Sequence, residues 1–250
     1  MASAALSTHD RFRIGRVLND SFAVIRRNPA LCLGLGGVLY AAPRFAFFQW
    51  YVRAPVGSGG AGLSPQVFFS LAVPLYVGVI AILRTSLVRA AIVDMRGEKP
   101  SLADSLGVAL ALFFPVLLTS LVVTLATMLG LILLVVPGIL LLLRWSVAIP
   151  VLIQERHNIL DSMARSRDLT KGNRWALLGL WLILIVGGTL VGLAVTRIAI
   201  PLNVTFGLIV DSLVNAAVTV LSSVASGVSY VELRQTKEGT SVEQLAEIFS

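Results

Sequence analysis

Long apolar stretches separated by short basic segments set the pattern of this chain. The longest, residues 105–143, runs 39 residues without a charged side chain and carries Pro137 and Gly138 near its end. A helix rises about 1.5 Å per residue and the hydrocarbon core of a bilayer is about 30 Å thick, so this stretch is roughly twice one crossing. It must fold back, and the turn is expected between Gly130 and Gly138. That gives a third helix starting near Ser105 and a fourth ending near Gln154. The other candidate crossings are 29–52, interrupted by Arg44; 66–83, after a glycine-rich link at 57–62; 175–196; and 201–231, which contains Asp211. Six crossings in three hairpins result. The expected fold class is an all-α integral membrane protein with six transmembrane helices, each hairpin preceded by an amphipathic interfacial helix.

A short repeat marks those preceding segments. Leu18-Asn19-Asp20-Ser21-Phe22, Leu102-Ala103-Asp104-Ser105-Leu106 and Ile159-Leu160-Asp161-Ser162-Met163 share an apolar-x-Asp-Ser-apolar pattern. Each hairpin also ends in an acid followed by a base: Asp94-Met95-Arg96, Glu155-Arg156 and Glu232-Leu233-Arg234. Three lead-in helices and three hairpins suggest a pseudo-threefold arrangement. In the first lead-in helix, Ile14, Val17, Leu18, Phe22 and Ile25 fall on one helical face and Arg13, Arg16, Asp20 and Arg27 on the other. Such a helix is expected in the headgroup layer, its apolar side toward acyl chains and its arginines toward anionic lipid; orienting the first crossing is the plainer role. The domains expected are 1–28, a basic amphipathic helix; 29–235, the six-helix membrane domain; and 236–250, a C-terminal amphipathic segment. In the last, Ser241 and Gln244 offer a capping box and Val242, Leu245, Ile248 and Phe249 an apolar stripe.

Composition points the same way. With 56% hydrophobic residues, 13% charged and a mean hydropathy of +0.88, a soluble globule would lack polar surface to cover itself. The net charge of +7 is confined to segments between apolar runs, which makes it a topology signal and excludes a nucleic-acid surface. Sixteen of the 20 Lys and Arg fall on one side if both termini share it, so both termini are expected in the cytoplasm. Cys32 is the single cysteine and offers no internal disulfide. Arg11, Arg13 and Arg16 are not followed by the apolar core and small-residue site of a signal peptide.

Charges inside spans carry the sharpest chemical signal, because each costs at least about 2.5–3.5 kcal/mol at bilayer depth and so turns inward and pairs. Arg44, Arg144 and Asp211 lie about six to eight residues from the outer ends of their helices, at similar depth. We expect Asp211 to neutralise Arg144, with Arg44 nearby. On the sixth helix Asp211, Asn215, Thr219, Ser222, Ser226 and Ser229 share one face, either a water-lined path or a small-residue packing surface. Glu155, eleven residues after Arg144 and so on the same face of one helix, is expected to lock onto Arg165 or Arg167. Lys171 and Arg174 either hold their loop at the surface or grip a lipid phosphate at the start of the fifth helix. Gly172 is expected to close a helix in the left-handed conformation, with Asn173 capping the next and Trp175 anchoring it.

Pro137-Gly138-Ile139, Arg144-Trp145-Ser146, Pro150, Glu155, Ser166, Leu169-Thr170-Lys171-Gly172 and Trp175 together resemble a bacterial membrane family, as does the ending Tyr230-Val231-Glu232-Leu233-Arg234. It is the membrane domain named for its fusion to some glycerophosphoryl diester phosphodiesterases, which also occurs alone. The resemblance covers roughly residues 101–238, and Ile14-Gly15-Arg16-Val17-Leu18 is similar to the opening helices of stand-alone proteobacterial members. It implies a multi-pass protein of the bacterial inner membrane, without the soluble catalytic domain of the fused proteins. His9 and His157 are the only histidines, poor material for a metal or acid-base site, and no Ser or Cys stands at nucleophile spacing, so no catalytic residue, metal or cofactor is expected.

Three functions stay open. The first is a non-catalytic protein that binds or organises lipid, or scaffolds a protein partner or a second copy. The second is a small transporter or channel for anions using Arg44, Arg144 and Asp211. The third is a membrane enzyme acting on lipid headgroups.

Overall fold

A computed structural model of the chain describes residues 12–53, 65–156 and 158–239. The expectations for the glycine-rich link, for the two histidines and for the segment 240–249 lie outside these residues. The elements are helices α1 (Ile14–Arg27), α2 (Pro29–Gly36), α3 (Ala42–Arg53), α4 (Pro65–Met95), α5 (Leu102–Ala111), α6 (Phe113–Leu133), α7 (Val135–Arg144), α8 (Ala148–Glu155), α9 (Ile159–Thr170), α10 (Arg174–Leu202) and α11 (Val204–Arg234). A π turn, Gly37–Ala41, joins α2 to α3, and another, Gln235–Gly239, follows α11. Among the described residues six helical stretches are long and apolar enough to span a membrane: Pro29–Val52, Phe69–Met95, Phe113–Leu133, Val135–Glu155, Arg174–Leu202 and Val204–Glu238. The protein is an all-α polytopic membrane protein. Its exterior suits lipid, with Phe114, Ile132, Ile185 and Leu190 all more than half exposed.

The hairpin of the third and fourth spans turns at Leu134, which alone between α6 and α7 is extended (φ −160°, ψ 139°). Two glycines let the helices meet there: a Cβ on Gly138 would stand 2.6 Å from the Leu131 backbone nitrogen, and one on Gly130 2.9 Å from the Gly138 Cα. Upstream, the expected start near Ser105 resolves into two helices. α5 ends before Leu112 (φ −98°, ψ 12°), and α6 begins two residues ahead of Pro115, whose ring cannot sit over the Ala111 carbonyl four residues back.

Sequence pattern underestimates the second span, because Arg84 looks like its end. The helix instead continues to Met95, and Leu83, Thr85, Ser86, Leu87, Ala90 and Ala91 are fully buried around that arginine. The core sits at this end of the bundle, where the lead-in helices pack, and we call it the lead-in face.

The sixth span is the hub. α11 packs against α1, both halves of the first span, α4, α8, α9 and α10. Close crossings depend on absent side chains: a Cβ on Gly36 would lie 2.6 Å from Val220 Cγ2, one on Gly188 2.7 Å from Val218 Cγ1, and one on Gly227 3.1 Å from the Val88 carbonyl. A Cβ on Gly187 or Gly192 would meet nothing within 4 Å among the described residues.

α1 differs from its expected placement. Val17, Ser21 and Val24 are fully buried against the bundle, with α11 its main partner, while Phe22 is exposed. Its apolar stripe covers protein, not acyl chains, because the small residues of α11 leave a groove that the stripe fills. The repeated Asp-Ser pattern has a repeated placement: Ser21, Ser105 and Ser162 are each no more than 1% exposed.

Candidate functional site

Arg44 reaches Asp211 from the first span through two hydrogen bonds to one carboxylate oxygen, Nε at 3.0 Å and a terminal nitrogen at 2.9 Å. The other oxygen accepts from Asn215 Nδ2 at 3.0 Å and from Thr196 Oγ1 at 3.5 Å, and the Arg44 guanidinium lies 4.9 Å from the centre of the Phe48 ring. Pro43 explains how the arginine arrives there. It lacks an N–H and clashes with the carbonyl four residues before it, and the chain absorbs this in the π turn just upstream, which re-aims every later side chain of the span. The carboxylate is thus satisfied by three helices, with the pair about 20% exposed. The expected Asp211–Arg144 pair does not form.

Arg144 ends α7 at an interruption of the fourth span. Trp145, Ser146 and Val147 are turn residues before α8 resumes, because Pro150 cannot tolerate the Ser146 carbonyl in helical register. This breaks the helical phase that would put Arg144 and Glu155 on one face. The Arg144 carbonyl, left without its helical donor, accepts from Ser166 Oγ at 2.9 Å and Thr170 Oγ1 at 3.5 Å, both on the third lead-in helix, α9. Arg144 Nε is buried and, among the described residues, has no hydrogen-bond partner. Ser166→Ala is expected to remove the better of the two donors and cost about 1 kcal/mol, read as a fall of a few degrees in apparent melting temperature in detergent.

A cavity of about 320 Å³ opens beside the interruption, lined from five of the six spans. Arg84 comes from the second, Thr124 from the third, Trp145 and Ser146 from the fourth, Trp181 from the fifth and Ser226 from the sixth. Trp145, Ser146 and Ser226 stood out in the sequence, whereas Thr124 and Trp181 did not. Arg84 was legible only as a loop charge, and Pro150 was the available signal for the break. The polar stripe of α11 divides in two. Asn215 Nδ2 and Thr219 Oγ1 bond carbonyls four residues back in their own helix, and Ser222 Oγ bonds one three back; of these, Ser222 joins Ser226 on the cavity wall. Ser229 is fully buried and its hydroxyl has no hydrogen-bond partner among the described residues.

On the lead-in face each hairpin's terminal acid takes an arginine from a lead-in helix. Asp94 accepts from Arg27 Nε at 3.0 Å and from Asn28 at 2.7 Å, Glu155 pairs with Arg165 at 3.3 Å, and Glu232 with Arg16 at 3.2 Å. Of the two arginines expected for Glu155, Arg165 makes the pair and Arg167 lies against Asp168 at 3.6 Å. Tyr230 Oη donates to Glu155 at 2.9 Å, and Arg234 Nε donates to Glu238 at 2.6 Å, which also binds Arg165. Arg26, Arg96, Lys99, Arg156, Lys171 and Lys237 are exposed around this face. Gly172 is left-handed (φ +95°); Asn173 precedes α10 without a side-chain cap bond, and Trp175 is 83% exposed. Arg174 Nε is buried and, among the described residues, has no hydrogen-bond partner, while Lys171 is exposed. Among the described residues no cluster of His, Cys, Asp or Glu is placed to hold a metal ion.

Fold and site together define a six-span helical membrane protein with a neutralised charge pair in one half and a cavity beside a broken helix. No protein-family model, curated protein or solved structure matches the chain.

Proposed function

We propose that this protein is a non-catalytic lipid-binding or membrane-organising protein of the bacterial inner membrane, related to the stand-alone membrane domains it resembles, with its lead-in face and both termini cytoplasmic. The observation that carries this is the distribution of charge on the lead-in face. The acids at the hairpin exits are consumed by arginines of the lead-in helices, whereas Arg26, Arg96, Lys99, Arg156, Lys171 and Lys237 stay exposed and, among the described residues, make no ion pair. A rim of cations at that level meets the anionic inner leaflet, each worth about 1 kcal/mol there. The intramembrane charges favour this function over transport, since Asp211 is fully engaged by Arg44, Asn215 and Thr196.

Native mass spectrometry of the full chain extracted from mixed phosphatidylglycerol and phosphatidylcholine membranes tests it. The wild type is expected to retain phosphatidylglycerol preferentially, and changing Arg96, Lys99, Lys171 and Lys237 to Gln should reduce the number retained. No preference in the wild type, or anion uptake into proteoliposomes that carry it, would overturn the proposal.

A further inference from the structure

Arg84 lies inside the apolar span Phe69–Met95, on one continuous helix and eleven residues before its end. An arginine inside a span is expected to have a counter-charge, yet among the described residues it makes no ion pair or hydrogen bond, and no carboxylate lines the cavity it borders. The other polar groups of the wall share this imbalance. The hydroxyls of Ser120, Thr124 and Ser226 bond nothing among the described residues, whereas Trp181 Nε1, also without a partner among them, is wholly buried and presents no surface to the cavity. The wall thus offers a cation and free hydroxyl donors but no anionic acceptor. The rim indicates what brings one. Arg84 and Thr124 are exposed where the cavity opens, and so are the apolar Leu142 and Ile185. Because the outer surface at this level faces lipid, the mouth opens sideways into the bilayer with a charged donor on its wall and apolar side chains beside it. A volume of about 320 Å³ falls at the small end of the range for ligand pockets, about 300–1,000 Å³, enough for a headgroup and not for two acyl chains.

We propose that this cavity binds the oxyanion of an amphiphile, a phosphate or carboxylate held by Arg84 and the free hydroxyls, while the acyl chain leaves through the mouth past Leu142 and Ile185 into the membrane. The site rests on the lipid-binding function proposed above and names where one lipid is held specifically, apart from the exposed rim. The guanidinium supplies charge-assisted bonds in a water-poor space. The interruption at Trp145 to Val147 provides the room, since an unbroken fourth helix would carry Trp145 and Ser146 past this level in regular turns.

The test uses the full chain in detergent, with retention of phosphatidylglycerol, phosphatidylcholine and laurate and binding of inorganic phosphate measured by native mass spectrometry. One tightly held phosphatidylglycerol or laurate per chain is expected. Arg84→Gln and, independently, Ser226→Leu, which fills the cavity, should each lower its retention about tenfold or more, while Arg84→Lys keeps most of it. If Arg84→Gln fails to fold, the Ser226→Leu result decides. Retention unchanged in a folded Ser226→Leu or Arg84→Gln chain would overturn the site while leaving the rim and its lipid preference standing. Binding of inorganic phosphate with no retained amphiphile would overturn it as well. A wild type that retains no anionic lipid at all would bring down both proposals.

Discussion

Asp211→Ala is expected to be the most damaging single change in this protein. It leaves Arg44 in the hydrocarbon half of the bundle without its carboxylate, while Asn215 and Thr196 keep the carbonyls of their own helices. Removing one partner of a low-dielectric pair costs more than the pair contributes, about 3 kcal/mol or more, because the surviving charge keeps its desolvation penalty. Expression should fall sharply, and the apparent melting temperature in detergent should drop by roughly 10 °C or leave no folded fraction. The double change Arg44→Leu with Asp211→Leu separates this cause from a function for the charges. It removes both penalties and should recover most of the abundance. If the single variant is as stable as the wild type, the pair is not what holds the first span to the sixth.

Gly138→Ala comes next. The added methyl would lie 2.6 Å from the backbone nitrogen of Leu131 and 2.5 Å from its Cγ, and a backbone atom cannot swing aside as the tip of a flexible chain would. The third and fourth spans must separate, at a cost of about 2–3 kcal/mol. Gly107→Ala, where a Cβ meets nothing within 4 Å, serves as the matched control and should be neutral or slightly stabilising. Melting curves of the two variants side by side settle whether the close approach at Leu134 sets the hairpin.

Spans, hairpins and lead-in helices were legible from the chain because length and the absence of charge decide them, and the bilayer imposes both. Depth was legible for the same reason: counting along helices put Arg44 and Asp211 at one level, and they meet there. Partner choice was not. It depends on rotation about each helix axis, and the π turn at Gly37–Ala41 adds a residue to one turn, rotating all later residues of the span by about 100° relative to an ideal helix. That shift brings Arg44 to Asp211, whereas Arg144 ends α7 at a break that Pro150 enforces and uses its carbonyl to receive α9. The cavity was illegible because five spans build it, and no local pattern encodes a space between them. Arg84 misled for a related reason. A charge that ends an apolar run usually ends the crossing, but here the residues around it face protein and the helix goes on.

The hub position of α11 has a consequence for biosynthesis. Ribosomes deliver this helix after the other five spans, yet it supplies the surface on which α1, the first span, α4 and α10 settle. Earlier segments must therefore wait in the bilayer with Gly36, Gly188 and the groove-filling side of α1 uncovered, exposed to insertion chaperones and to quality-control proteases until the sixth crossing leaves the translocon. Assembly of the bundle is timed by the arrival of that one helix.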